Sequence, residues 1–236
     1  MLQTKNHTST PNCSTDMTTD TAISESRKHL AALMSITPDT TSVASFKPGP
    51  GIEKLPITFD IARLRQALEE ALTLTQFKGD LDAGFGAFSL TRRPGAEVET
   101  ANDLSGLFYT RVDDSYEEVE REEAVDEFAF TEFVPQFINT YFHEVWTALT
   151  QVAAIGRMRV LSKGLYNCNS WHRDPEPRLH IPIVSNPGSL FVVNHHVTHL
   201  PADGSVYFTD TRGYHTALNG GESHRVHIVA ALPTSA

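Results

Sequence analysis

The chain is predicted to be an α+β protein. Helices come first, and a sandwich or jelly-roll barrel of short strands comes last, with the helices packed against one side. Three observations predict this. Helical periodicity is confined to stretches before Gly156. After Gly156 the chain breaks into short apolar pieces rich in β-branched residues. The turn signals "SNPG", "ADG" and "NGG" separate those pieces.

Length and composition bound the rest. At 236 residues, with 40% hydrophobic and 20% charged content, the chain is ordinary for one sizeable domain with an extension. A formal net charge of -10 argues against a nucleic-acid or membrane surface as the main business, but leaves room for a local basic pocket. Cys13 and Cys168 are the only cysteines, too few for a disulfide framework, so a reducing, cytoplasmic setting is expected. Oligomeric state has no readable signal.

Residues 1–45 are rich in Ser, Thr and Asp and are expected to be a mostly disordered lead, with one short helix around Ala22–Met34. "KPGPG" then opens the folded domain, residues 46–236, with a helical part over about 55–155 and a strand core over about 156–233. Asp60 is placed to cap a helix whose apolar face is Ile61, Leu64, Leu68 and Leu72. Strand-like residues follow at Gly86–Thr91. The acidic run Asp113–Phe128 reads as a solvated face. Thr131–Gln151 reads as one long amphipathic helix, because Phe133, Phe137, Tyr141 and Val145 recur every four residues. Strands are expected at Met158–Leu161, Arg178–Val184, Ser189–Val193, Ser205–Thr209 and Arg225–Leu232.

The chemistry concentrates in the strands. In "SWHRDPEPRLHIPI", His172 and Asp174 are two residues apart, so in extended backbone both point to one face and can grip one metal ion. A histidine from a distant strand would complete a two-histidine, one-carboxylate set, which leaves Fe(II) open positions. His215 and His224 compete for that place. Ten residues after His215 comes Arg225, suited to hold a carboxylate through a two-bond fork. Alternation puts Arg225, His227 and Val229 on one face and His224, Val226 and Ile228 on the other, which favours His215. In the earlier strand Arg178 and His180 lie opposite Leu179, Ile181 and Ile183. Both strands thus turn polar groups inward and apolar ones toward the helices. "HRD" lacks the asparagine spacing and glycine-rich loop of a kinase.

Taken in order, "RMRVLSKG", "HRD", "RLHIPIVSNP", "LPADGSVYFTDT" and "YHTALNGGESHRVHIV" resemble the aspartyl/asparaginyl β-hydroxylase family, which includes bacterial proline cis-hydroxylases. The resemblance covers about Arg157 to Pro233. It implies a double-stranded β-helix (a jelly-roll, cupin-like barrel) and a non-haem Fe(II)- and 2-oxoglutarate-dependent dioxygenase that consumes O2. It implies that His172, Asp174 and His215 bind the metal, that Arg225 binds the 2-oxoglutarate carboxylate, and that Arg178 and His180 line the co-substrate site. Vertebrate β-hydroxylases lack the aspartate, so Asp174 places this chain nearer the small-amino-acid hydroxylases. The expected substrate is an amino acid, free or in a peptide.

Other residues carry competing readings. Asn219 is either a substrate contact or an Asn-Gly turn residue. Trp171 either packs or borders the substrate. Arg159 either enters the co-substrate site or is a strand-edge charge. His195, His196 and His199 lack acidic or cysteine partners in the sequence, and an exposed loop is favoured over zinc. Two other functions remain open from sequence: a jelly-roll ligand-binding module with a structural metal site, and a cupin-type metalloenzyme that does not use 2-oxoglutarate.

Overall fold

A computed structural model of the chain describes residues 16–36, 46–47, 49–82, 84–97, 99–104, 110–112, 117–120 and 125–233. The chain divides into two compact units, Met1–Thr40 and Thr41–Ala236. In the first, helix α1 (Asp16–Met34) starts six residues before the expected helix. Its described side chains from Ile23 onward are all exposed, so local propensity forms the helix without a core to bury it. The remainder of the expected disordered lead, residues 1–15 and 37–45, lies outside the described residues, as do 113–116 and 121–124 of the acidic run.

The second unit runs β1 (Ile52–Thr58), α2 (Ile61–Leu74), β2 (Phe85–Ser89), β3 (Thr91–Arg92), α3 (Ala101–Leu104), β4 (Thr110–Val112), β5 (Glu118–Glu120), β6 (Glu132–Phe133) and α4 (Tyr141–Thr150). It continues with β7 (Met158–Lys163), β8 (Asn167–Cys168), β9 (His172–Arg173), β10 (Arg178–Val184), β11 (Ser189–Val193) and β12 (His196–His199). It ends with β13 (Ser205–Thr209), β14 (His215–Asn219) and β15 (Arg225–Ala231). One sheet has the order β1-β13-β10-β15-β7-β2, the other β12-β11-β14-β9-β4-β5 with β8 also beside β14. Every pairing in both is antiparallel. From β7 onward the chain passes back and forth between the sheets, a jelly-roll-like arrangement. Among the described residues no strand pair joins one sheet to the other, so the expected barrel is two facing sheets.

Helix α2 begins where Asp60 Oδ1 accepts the backbone N–H groups of Ala62 (2.8 Å) and Arg63 (3.2 Å). It buries Leu64, Ala67, Leu68 and Ala71, while Leu72 turns outward; two small residues complete the stripe that the larger ones predicted. The single helix expected over Thr131–Gln151 is a strand, β6, a short 3-10 turn at Pro135–Phe137 and then α4. Pro135 is the reason. It has no N–H and forces the preceding Val134 into extended backbone, φ -68° and ψ 119°, so no helix passes through it. The four-residue spacing marked burial correctly at Phe133, Phe137 and Val145, and the helix itself from Tyr141 onward, but not the backbone before it.

Strands β7, β10 and β15 form the centre of the first sheet and separate two environments. Met158, Val160, Leu179, Ile181, Ile183, Val226 and Ile228 pack with α2 and α4 residues into the main apolar core. The alternate positions face the second sheet. The sheets meet at a smaller cluster that includes Phe191, Val193, Tyr207 and Ala217. Above it, side chains of both sheets line a cavity.

Candidate metal centre and its cavity

His172 opens β9 and His215 opens β14, and the two are direct register partners across that antiparallel pair. Their ring centroids are 4.2 Å apart. Asp174 follows β9, held there by its own N–H donating to the carbonyl of Thr211 at 2.8 Å. One ligand atom from each of His172, Asp174 and His215 lies within 4.8 Å of the others, and among the described residues they are the one such group of three.

The tautomers follow from the neighbours. His172 Nδ1 is 2.7 Å from the Ser170 carbonyl and His215 Nδ1 is 3.0 Å from the Gly213 carbonyl. A carbonyl only accepts, so each Nδ1 carries a proton, which leaves Nε2 as the nitrogen each ring can offer to a metal. Burial, reinforced by His172, pushes His215 down to about 4 despite the carboxylate of Asp174. Burial acts on Asp174 in the opposite sense, but Arg178 and the two histidines outweigh it and hold the carboxyl below its usual range. Neutral His215 and anionic Asp174 are the forms that bind a divalent cation.

Buried arginines border the same cavity. Arg178 lies 3.4 Å from Asp174 Oδ2, 3.1 Å from Glu127 Oε1 and 2.6 Å from Glu176 Oε1. Arg157 forks onto both oxygens of Glu127, at 2.7 and 3.1 Å. Burial lifts Glu176 to about 7, with Arg178 offsetting only part of the rise. Arg225 is different. It lies on the cavity wall with its Cζ 6.0 Å from the ring centroid of Phe191. Burial alone pushes it down to about 10, and no carboxylate pairs with it among the described residues. His180 lies between, its ring centroid 5.0 Å from that of Phe191 and 5.7 Å from that of His227.

The structure thus brings His172, Asp174, His215, Arg178, His180 and Arg225 to one cavity. Arg159 also reaches its wall and donates to the Leu104 carbonyl at 3.1 Å, so it is not a strand-edge charge. Asn219, expected as a substrate contact, is completely buried. It donates to the Gly164 and Ser223 carbonyls at 2.9 and 2.8 Å and accepts from Asn186 at 2.9 Å, so its amide is spent on ties between loops. Trp171 is 48% exposed and absent from the cavity wall. His224 is exposed, 3.3 Å from Ser162 Oγ. His195 and His196 are exposed at the β11–β12 turn, where Asn194 and His195 have φ of 48° and 67°. His199 is buried and donates to the Ser189 carbonyl.

Sequence reasoning missed three contributors. Glu127 sits in the acidic run read as solvated, yet it is 6% exposed and holds two arginines. Phe191 stacks on His215 with planes 5° apart. Lys163 extends the inward face of β7 set by Arg159 and Leu161, and alternation alone would have found it.

No family model matches the chain, and no curated protein matches it. The resemblance to aspartyl/asparaginyl β-hydroxylases therefore has no matching family model behind it. Solved structures similar to the chain include an oxidoreductase of the 2OG-Fe(II) oxygenase family from Burkholderia pseudomallei. It is 14% identical, covering 77% of this chain and 83% of that one, with a TM-score of 0.43. A viral collagen prolyl hydroxylase from Paramecium Bursaria Chlorella virus-1 is 12% identical over 78% of this chain and 96% of that one, with a TM-score of 0.38. A DMSP lyase from Ruegeria pomeroyi is 11% identical over 93% of each, also at 0.38. Likenesses at such scores identify no family and carry no functional argument.

Proposed function

We propose that the chain is a non-haem Fe(II)- and 2-oxoglutarate-dependent dioxygenase that hydroxylates an amino acid, free or within a peptide. One observation carries the reading. A two-histidine, one-carboxylate group and a buried arginine with no carboxylate partner among the described residues open onto the same cavity. An arginine so buried costs free energy in the empty protein, and an incoming carboxylate offsets that cost.

The side chains have separable tasks. His172, Asp174 and His215 present their ligand atoms from one side, which leaves positions on a metal open to other molecules. The Ser170 and Gly213 carbonyls fix the two imidazoles so that Nε2 faces inward. Arg178 steadies Asp174 and is itself held by Glu127. Arg225 takes the remote carboxylate of 2-oxoglutarate. Iron(II), when bound, would supply the centre at which O2, the oxidant, is activated at the expense of 2-oxoglutarate. The amino-acid substrate rests on the motif resemblance rather than on any wall of the cavity.

A screen of amino acids and short peptides, read as substrate-dependent succinate release with iron(II), 2-oxoglutarate and air, tests this reading. At least one amino acid or peptide should raise succinate release above the uncoupled background. Iron- and 2-oxoglutarate-dependent release stimulated only by compounds of another class would remove the amino-acid hydroxylase reading.

A further inference from the structure

Lys163 is the last residue of β7 and Arg225 the first of β15, and they are register partners. Partners on adjacent antiparallel strands point to the same face, so Lys163 stands behind Arg225 on the side of Arg159 and Leu161, which line the cavity with Arg225, while Lys163 itself is set back from the wall. Both are 6% exposed. Lys163 Nζ donates to Asn167 Oδ1 at 2.7 Å and to Asn169 Oδ1, and Asn169 is itself on the cavity wall. No carboxylate pairs with either cation among the described residues. An ammonium has three donors. Two are used by neutral amides, which leaves one N–H and an uncompensated charge beside Arg225. The strain is legible in its acidity: burial, and then Arg225, push Lys163 down to about 8. Two adjacent buried cations with no counter-charge are costly in a protein, and one arriving anion relieves both.

We propose that Lys163 is a second binding cation of the co-substrate site, meeting the remote carboxylate of 2-oxoglutarate together with Arg225. This rests on the proposed function, in which Arg225 receives that carboxylate. Lys163 then does a second thing. Through Asn167 and Asn169 it grips the segment that leads into His172, and Asn169 is pinned from the other side because its N–H donates to the Ala217 carbonyl and its carbonyl accepts from Thr216. Those backbone bonds hold Asn169, and with it the approach to His172, in place whether or not Lys163 is present.

The test uses the full chain loaded with manganese(II), with equilibrium binding of 2-oxoglutarate and of pyruvate, which has the same 2-oxo acid head but no remote carboxylate. Lys163→Met removes the charge, and because the charge is unpaired and buried the variant should fold at least as well as wild type. Its 2-oxoglutarate binding should weaken roughly tenfold or more, the scale of one hydrogen bond to a charged group, while pyruvate and manganese binding stay unchanged. Lys163→Arg should recover most of the loss. Undiminished 2-oxoglutarate binding in Lys163→Met overturns the proposal, as does an equal loss for pyruvate, which would mean a general disturbance of the site. A wild-type protein that binds 2-oxoglutarate no better than pyruvate fails earlier and removes the Arg225 reading as well.

Discussion

Besides Arg159, two pairs of buried cations stand at one cavity, Arg157 with Arg178 on its wall and Arg225 on its wall with Lys163 behind it, and they are treated in opposite ways. Arg157 and Arg178 share Glu127, and Arg178 also meets Glu176 and the metal-site Asp174. Arg225 and Lys163 have side-chain amides, a phenyl ring and each other. The first pair is an internal scaffold whose charges are closed before any ligand arrives. The second, among the described residues, is left electrostatically open. A fold that can bury a carboxylate beside one pair had the means to do so beside the other, so the open pair is read as the place where a ligand supplies the missing charge.

The sharpest way to break that contrast is to remove the internal counter-charge. Glu127→Gln leaves Arg157 and Arg178 short of a shared carboxylate and should cost about 3–5 kcal/mol of folding stability, the scale for one half of a buried ion pair. Arg225→Met, at the open end, should leave the stability of the ligand-free protein unchanged or raise it. Denaturant unfolding of both variants checks the pair of outcomes; an equal loss in both would erase the distinction.

A second break concerns the metal. His215→Ala should weaken iron binding by more than about a hundredfold, beyond the 10–100-fold cost of losing an outer partner. His224→Ala should leave it intact, because His224 is exposed and away from the three ligands. Iron titration of both folded variants decides it.

Arg225→Lys sharpens the comparison rather than breaking it. Lysine keeps the charge but not the planar fork, so 2-oxoglutarate binding should fall by about 1.5–3 kcal/mol with iron affinity nearly unchanged. An unaltered dissociation constant for 2-oxoglutarate would take Arg225 out of the role.

The smallest effect is in the pH dependence of the metal-free protein. His215 falls from 6.5 to about 4 on folding, so the unfolded chain binds more protons between those values. Stability from keeping His215 neutral is therefore complete above about pH 6.5 and is lost as the pH drops. By pH 5.5 the loss should be on the order of 1 kcal/mol, and His215→Gln should remove that part of the slope.

Much of this was legible in the sequence because strand alternation is local. His172 with Asp174, Arg178 with His180, and Arg225 apart from His224 all follow from a period of two, and the cavity holds the inward members. What stayed hidden depended on distance or on competition. Glu127 is 51 residues before Arg178, and nothing in an acidic run marks which carboxylate turns inward. Asn219 carries a turn signal and a possible substrate role, and only its buried contacts show that it ties loops together. The helix expected through Pro135 failed because apolar spacing reports burial, while the proline ring decides the backbone.

An anaerobic titration of the full chain with iron(II), with and without 2-oxoglutarate, tests the central claim most directly. If one cavity holds both the metal group and the carboxylate clamp, a visible metal-to-ligand absorption band should appear only when both components are present. It should vanish in His215→Ala and require more 2-oxoglutarate in Arg225→Lys. Iron binding with no such band at saturating 2-oxoglutarate would contradict the account and leave a metal site that does not use this co-substrate.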